Sequence, residues 1–231
     1  TSPDPGDHTP KDTNKDFHFS YKPCNINRHI ISSKNGLKGV KSKYTFLIRP
    51  DFIIHNSNII NLYNKLLQNW EKSQETILKG PILLPFYGSI LSKYSYTICN
   101  RIYPFHPSDL IHFGYTQDLL KLWDITLMPI NDFKYYLNNQ RGTSLLSSSY
   151  ISENIFRYIP EQYLFLSYLR KYKLIPKNIY LHMEDKPENY LRRSHQLIIS
   201  SFIFGSFREL GCSWQKKTAP TIKLPSLFFG N

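Results

Sequence analysis

The chain has 231 residues, 41% of them hydrophobic and 15% aromatic, with 29 Lys/Arg against 17 Asp/Glu and a net charge of +12. That length and apolar share suit one globular domain with a core of its own, and they exclude disorder beyond the termini. No apolar run reaches the ~18–20 residues of a membrane span and no signal peptide is visible, so a cytoplasmic protein is expected. Cys24, Cys99 and Cys212 share no metal-ligand spacing and form no disulfide framework. The first methionine is Met128, and the natural start is therefore expected upstream of Thr1.

The positive charge is not confined to a tail. Residues 170–223 carry eleven Lys/Arg against four Asp/Glu, a balance of +7, interleaved with apolar residues. A folded basic face of this kind meets nucleic acid, anionic lipid or phosphorylated sugars. Zinc spacing, a helix-turn-helix signature and an RNP-like run are all lacking. No nucleic acid partner is expected, and a basic nucleic-acid-binding α/β protein is kept as the alternative class.

Residues 1–23 carry Pro, Asp, Gly and Lys without a sustained apolar period and read as loop. Ile26, Ile30, Ser33, Leu37 and Val40 follow at steps of three and four, the stripe of an amphipathic helix. Asn25 or Asn27 can cap its start, and Gly39 stands near its end. The run from Tyr44 to Ile48 is short, aromatic and β-branched, and reads as a central strand buried on both faces. It stops at Arg49-Pro50-Asp51, because proline lacks the ladder donor.

Farther on, residues 59–70 have a helical period and residues 82–86 are strand-like. Pro104-Phe105-His106-Pro107 reads as a rigid turn, Leu110 to Phe113 as a strand closing at Gly114, and Thr116 as the cap of a helix through Trp123. Pro160-Glu161 opens another helix, with Tyr163, Leu166, Leu169 and Arg170 at helical steps. Residues 179–182 and 198–204 read as strands. Alternating helices and strands predict an α/β fold, and in open α/β sheets ligands bind at the C-terminal ends of strands.

Arg49 and Asp51 occupy such an end. An acid there can hold a divalent metal on a diphosphate, and an arginine can bind phosphate directly. The plain alternative is a salt-bridged strand end. His106, Asp109 and His112 match no common metal-site spacing. Ser194-His195 reads as structure, since neighbours in sequence point apart.

The order Asn25-x-Asn27-Arg28, helix, glycine, strand and Asp51 resembles nucleotide-sugar glycosyltransferases of the GT-A type. More specifically, Asp4-Pro5-Gly6, Asn25 through Ser33, Asn35-Gly36-Leu37 and Lys43 through Asp51 resemble the WavE lipopolysaccharide-synthesis family. So do Tyr103 through Asp109, Phe113-Gly114, Asp118-Leu119 with Leu122-Trp123, and Pro160 through Tyr163, in order along most of the chain.

The resemblance implies a Rossmann-like GT-A fold, a three-layer α/β/α domain over residues 1–231 with a mixed sheet, whose first strand unit would precede Thr1. Tyr44–Ile48 should then be central, with Arg49 and Asp51 opening into the largest cleft, whereas an edge strand or a helix there would overturn the GT-A reading. The resemblance also implies transfer from a nucleotide-sugar donor to a lipid-linked saccharide or lipopolysaccharide-core acceptor. The site would lie at the inner face of the bacterial cytoplasmic membrane, where the basic stretch meets anionic lipid. Asn25, Asn27, Arg28, Arg49 and Asp51 would then serve the donor, with Asp51 the candidate ligand for Mg²⁺ or Mn²⁺. His106 and Ser108 would join the donor side, and Ser108-Asp109 would form a polar lid over the donor sugar. Glu161 would be the general base, with Gln162 as its hydrogen-bonding neighbour and Asp109 the second carboxylate of interest. Loss of activity in the shortened chain is a further alternative.

Overall fold

The structure is a computed structural model that describes residues 4–5, 25–86, 104–133, 135, 156–179 and 188–215. Most of the expected N-terminal loop, residues 180–182 and the basic residues beyond 215 lie outside the described part.

Helix α1 (Ile26–Gly39) buries Ile26, Ile30, Ser33 and Leu37, the stripe read from the sequence. Strand β1 (Tyr44–Ile48) leads into a short β2 (Phe52–Ile54), then α2 (Asn58–Leu67) and β3 (Ile82–Pro85). After the 104–110 turn come β4 (Ile111–Tyr115), α3 (Thr116–Trp123) and the single turn α4 (Ile130–Phe133). Helix α5 (Pro160–Lys171), α6 (Glu188–Ser201), β5 (Phe202–Gly205) and β6 (Cys212–Trp214) complete the described chain.

Four strands form one mixed sheet in the order β1-β4-β3-β5; only the β3–β5 pair is parallel. A second sheet pairs β2 with β6 antiparallel. Side chains alternate across the main sheet as the pleat requires. Ile82 and Leu84 face a core shared with α1, α3, α5 and α6, while Leu83 faces a second core with Tyr63 of α2 and Cys212 of β6. Strand β4 alternates likewise: Ile111 and Phe113 enter the second core, and His112 turns the other way toward Trp123.

Two expectations are corrected. Tyr44–Ile48 is an edge strand among the described residues, with β4 as its one neighbour, and all five of its residues are half-buried. Its apolar content is explained by cross-strand aromatic contacts. Tyr44 stacks on Tyr115 at 4.8 Å between ring centroids, and Phe46 meets Phe113 edge-on at 6.3 Å. The strand with all four residues buried is β3. An edge position for β1 counts against the GT-A strand arrangement, whereas the mixed α/β architecture stands.

The second correction concerns residues 198–204. Residues through Ser201 belong to α6, and the strand begins only at Phe202. Ser194, Leu197, Ile198 and Ser201 are all buried, at helical steps of three and one, so the helix continues into the apolar run.

Asp118 ties the sheet to α3. It is fully buried, and its Oδ2 accepts hydrogen bonds from the backbone N–H groups of Lys79 (2.8 Å) and Gly80 (3.0 Å). Its Oδ1 accepts from Lys121 Nζ at 2.9 Å, and the same ammonium donates to the Ile77 carbonyl at 3.1 Å. Loss of the carboxylate would strand the buried Gly80 N–H and take an acceptor from the Lys79 N–H and from Lys121 Nζ. Asp118→Ala is therefore expected to lower the unfolding free energy by about 3 kcal/mol, read from urea denaturation. A loss well below about 1 kcal/mol would mean that water or rearranged neighbours replace the carboxylate.

Candidate functional site

The N-terminal half of α1, the 104–110 turn, β4 and the first turn of α5 converge on a group of imidazoles and carboxylates. The turn is held from three sides. Phe105 takes a left-handed backbone conformation (φ 58°) with its ring fully buried, and its N–H donates to Ser194 Oγ on α6 at 2.6 Å. Gln162, fully buried at the start of α5, donates from Nε2 to the Pro104 carbonyl at 2.8 Å and accepts from Ile159 N–H at 3.4 Å. The Ser108 carbonyl accepts from His112 Nε2 at 2.8 Å.

The tautomer of His112 follows from its partners. Trp123 Nε1–H can only donate, and it reaches His112 Nδ1 at 3.0 Å. The proton therefore sits on Nε2, which donates to Ser108. Burial drives the ring's pKa down to about 4.

The turn carries His106 and Asp109 into contact with two other elements. His106 Nε2 faces Glu161 Oε2 at 3.5 Å, and His29 Nδ1 faces Asp109 Oδ2 at 3.4 Å. The His29 ring also lies 4.4 Å from that of Trp123, centroid to centroid. Burial pulls the His106 pKa down, but the charges of Glu161 and then Asp109 outweigh it and raise the pKa above the usual value. Burial pushes the Asp109 carboxyl up, and His29 and the Arg49 guanidinium outweigh that and hold it low. Asp109 is 8% exposed, and its Oδ1 has no hydrogen-bond partner among the described residues. That oxygen is closed to solvent, an acceptor buried without a donor among the described residues.

Arg49 enters this field because its N–H donates to the Leu110 carbonyl at 3.2 Å, which sets the end of β1 beside the turn. Its guanidinium forks onto Asp51, from Nε to Oδ1 at 3.1 Å and from Nη2 to Oδ2 at 2.9 Å. Trp214 Nε1 on β6 donates to the same Oδ2 at 2.9 Å. Burial raises the Asp51 pKa, and Arg49 and Trp214 more than reverse that. With both oxygens so engaged, and no cluster of three or more His, Cys, Asp or Glu among the described residues, the donor set does not fit a resident divalent ion at Asp51.

The remaining candidates divide in two. Asn27 is buried and clamps the backbone of Met128, donating from Nδ2 to its carbonyl (3.0 Å) and accepting from its N–H (2.7 Å). Arg28 forks onto Asp4 at 2.8 Å for both contacts and donates to Asn25 Oδ1 at 3.2 Å. These three lie at the start of α1 beside the cluster, engaged with protein groups. His29 is the member that sequence reasoning missed; it lies four residues after Asn25 and so on the same helical face, a signal the pattern did contain. A cavity of about 1190 Å³ lies along a different face of α1, and neither Arg49, Asp51 nor Glu161 lines it. The expectation that Arg49 and Asp51 open into such a cleft is corrected for this cavity. Both are held into the protein by the Arg49–Asp51–Trp214 contacts.

The neutral His112 ring makes a signed pH prediction. Above its unfolded value of 6.5 the ring is neutral in both states and its contribution is fully present. Between 6.5 and about 4 the unfolded chain takes up a proton that the folded chain refuses, so stability falls with falling pH. His106, with its pKa raised, acts in the opposite sense, its contribution being lost as pH rises. Comparing the wild type with His112→Gln isolates the first effect. The variant's unfolding free energy should vary less steeply with pH in that window, by up to about 1.4 kcal/mol per pH unit. Parallel curves would overturn the neutral-ring assignment.

No helix among the described residues is long and apolar enough to cross a membrane. No curated protein and no solved structure matches the chain. The family profile described as WavE lipopolysaccharide synthesis matches residues 1–229, all but the last two, and the chain belongs to that family.

Proposed function

We propose that this protein is a glycosyltransferase that moves a sugar from a nucleotide-sugar donor to a lipopolysaccharide-core or other surface-polysaccharide acceptor. The observation that carries this reading is the meeting of half-buried Glu161 and His29 with buried His106 and Asp109 in a member of a lipopolysaccharide-synthesis family. An inverting sugar transfer needs a carboxylate beside the acceptor hydroxyl, able to take its proton as the new bond forms. Glu161 is that base, one-quarter exposed and backed by His106.

In the proposed step the acceptor oxygen bonds to the anomeric carbon while the bond from that carbon to the diphosphate oxygen breaks. The hydroxyl proton goes to Glu161, and the nucleoside diphosphate departs with the bonding electrons. Asp109, paired with His29, carries negative charge beside His106 behind the base. Arg49, oriented by Asp51, supplies positive charge for the diphosphate. Asn25 and Arg28 border the donor, while Asn27, Ser108 and Gln162 hold its surroundings in place. This reading does not depend on a GT-A strand order.

Two substitutions separate the roles. Glu161→Gln keeps size and hydrogen bonding but cannot take the proton. Donor affinity by calorimetry should persist while transfer falls by about 10²–10⁴-fold. Asp51→Asn releases Arg49 and should weaken donor binding and transfer together. Equal loss of donor binding in both variants would remove Glu161 from catalysis, and normal transfer by Asp51→Asn would remove the donor site.

The same reading sets the protein on the anionic inner face of the cytoplasmic membrane, where each Lys or Arg near the surface contributes on the order of 1 kcal/mol. The net charge of +12 supports it. Co-sedimentation with vesicles containing phosphatidylglycerol should fall as salt rises. Binding indifferent to both salt and anionic lipid would refute the surface attachment.

A further inference from the structure

The cavity of about 1190 Å³ stands apart from the imidazole–carboxylate cluster. It uses the other sides of the same two long helices. On α1, Lys34 and Lys38 are five and nine residues beyond His29, roughly 140° and 180° around the helix from it. On α5, Tyr163 and Arg170 are likewise roughly 160–180° from Glu161. The segment from Asp124 to Pro129 closes the space between the helices, and Asn27 fixes it there through Met128.

The charge of the lining is lopsided. Lys34, Lys38, Arg157, Arg170, Lys171 and Lys177 face Asp124 and Asp132 alone among acids. Those two acids are already committed. Lys171 and Lys34 both pair with Asp124 and hold its pKa down at about 2, and Arg157 pairs with Asp132 at 3.1 Å. Lys38 and Lys177 have no ion-pair partner among the described residues.

The two arginines are also organised. The guanidinium carbons of Arg157 and Arg170 lie 5.4 Å and 5.3 Å from the centre of the Tyr158 ring, and Arg170 further donates to the Tyr158 hydroxyl (3.3 Å) and the Ile179 carbonyl (3.0 Å). Guanidiniums fixed on an aromatic ring lose little freedom when an oxyanion arrives, and their planar forks match phosphate oxygens. The two tyrosines of the lining, Tyr158 and Tyr163, are both buried and offer no open ring face on which a nucleobase could stack. Serine, threonine and asparagine side chains (Ser167, Thr126, Asn35) add groups that suit sugar hydroxyls, and the volume exceeds the ~300–1,000 Å³ of common small-ligand pockets.

We infer that this cavity binds a phosphate-bearing saccharide without a nucleobase, at a site separate from the Glu161–Asp109 cluster. The arginine pair and the two unpaired lysines hold the phosphate, and the remaining wall holds the sugar. Such a ligand fits the charged part of a polysaccharide acceptor, but binding itself does not require the transferase reading to be right.

The test is calorimetric titration of the full chain with glucose 6-phosphate, glucose, inorganic phosphate and UDP, each at low and moderate salt. Glucose 6-phosphate should bind, more weakly as salt rises, and more tightly than inorganic phosphate; glucose should give no measurable heat of binding. The double variant Lys38→Gln/Lys177→Gln changes two exposed side chains and should fold as the wild type does, checked by circular dichroism. It should weaken glucose 6-phosphate binding on the order of tenfold or more. Glu161→Gln should leave that binding unchanged, so failure of the transfer reading is told apart from failure of this one. The inference is overturned if the double variant binds like the wild type, if glucose or inorganic phosphate binds as well as glucose 6-phosphate, or if UDP displaces the sugar phosphate.

Discussion

Between the Trp123 indole and the Ser108 carbonyl, the His112 ring has room for one protonation state only. The indole needs an acceptor and the carbonyl needs a donor, so the neutral imidazole with its proton on Nε2 meets both. That small requirement joins three elements: β4, which carries the ring, α3, which ends at Trp123, and the turn that precedes β4. The turn in turn sets His106 and Asp109. Much of the cluster's geometry thus follows from one hydrogen-bonded ring that must remain uncharged.

Around that neutral ring the ionisable groups meet in pairs, each a nitrogen base or guanidinium with a carboxylate. His106 sits with Glu161, His29 with Asp109, and Arg49 with Asp51. Pairing of this kind is what allows ionisable groups to be buried at all, since an isolated charge would neutralise itself instead. It also makes the groups interdependent. Asp109 feels both His29 and Arg49, and His106 feels both Glu161 and Asp109. The cluster is better regarded as one shared charge distribution than as separate residues with separate roles.

Local pattern made much of the fold legible. The stripe of α1 and the helix from Thr116 to Trp123 follow from periodicity and the start of α5 from Pro160, whereas the side-chain caps expected at Asn25 or Asn27 and at Thr116 are not made. What local pattern cannot reveal is which neighbour satisfies an apolar run. Tyr44–Ile48 reads like a strand buried on both faces, yet cross-strand aromatic rings on β4 account for its composition at an edge. In residues 198–204 the helix-to-strand switch falls inside a single apolar run, so composition gives no mark of it. The site was legible in its acids, through the turn at Pro104 and the helix start at Pro160, and not in its imidazole partner His29. That pairing arises only when α1 packs on α3 and brings His29 over Trp123. Asp51 illustrates the converse, since its residue type suited either a ligand or a strand-end ion pair and only its contacts tell them apart.

Phe105 joins two demands that pull apart. A left-handed backbone costs a residue with a side chain roughly 1–2 kcal/mol, which glycine would avoid. Full burial of the ring contributes about 1.5–3 kcal/mol, which glycine would forfeit. The turn therefore keeps its unfavoured shape because the hydrophobic interior grips the ring, with the Ser194 hydroxyl as a second point of restraint. Local geometry next to His106 is in this way mortgaged to packing deep in the domain. Substitutions far from the cluster that loosen the interior would let the turn relax toward an ordinary conformation, and the imidazole it carries would drift from Glu161 well before the protein unfolds.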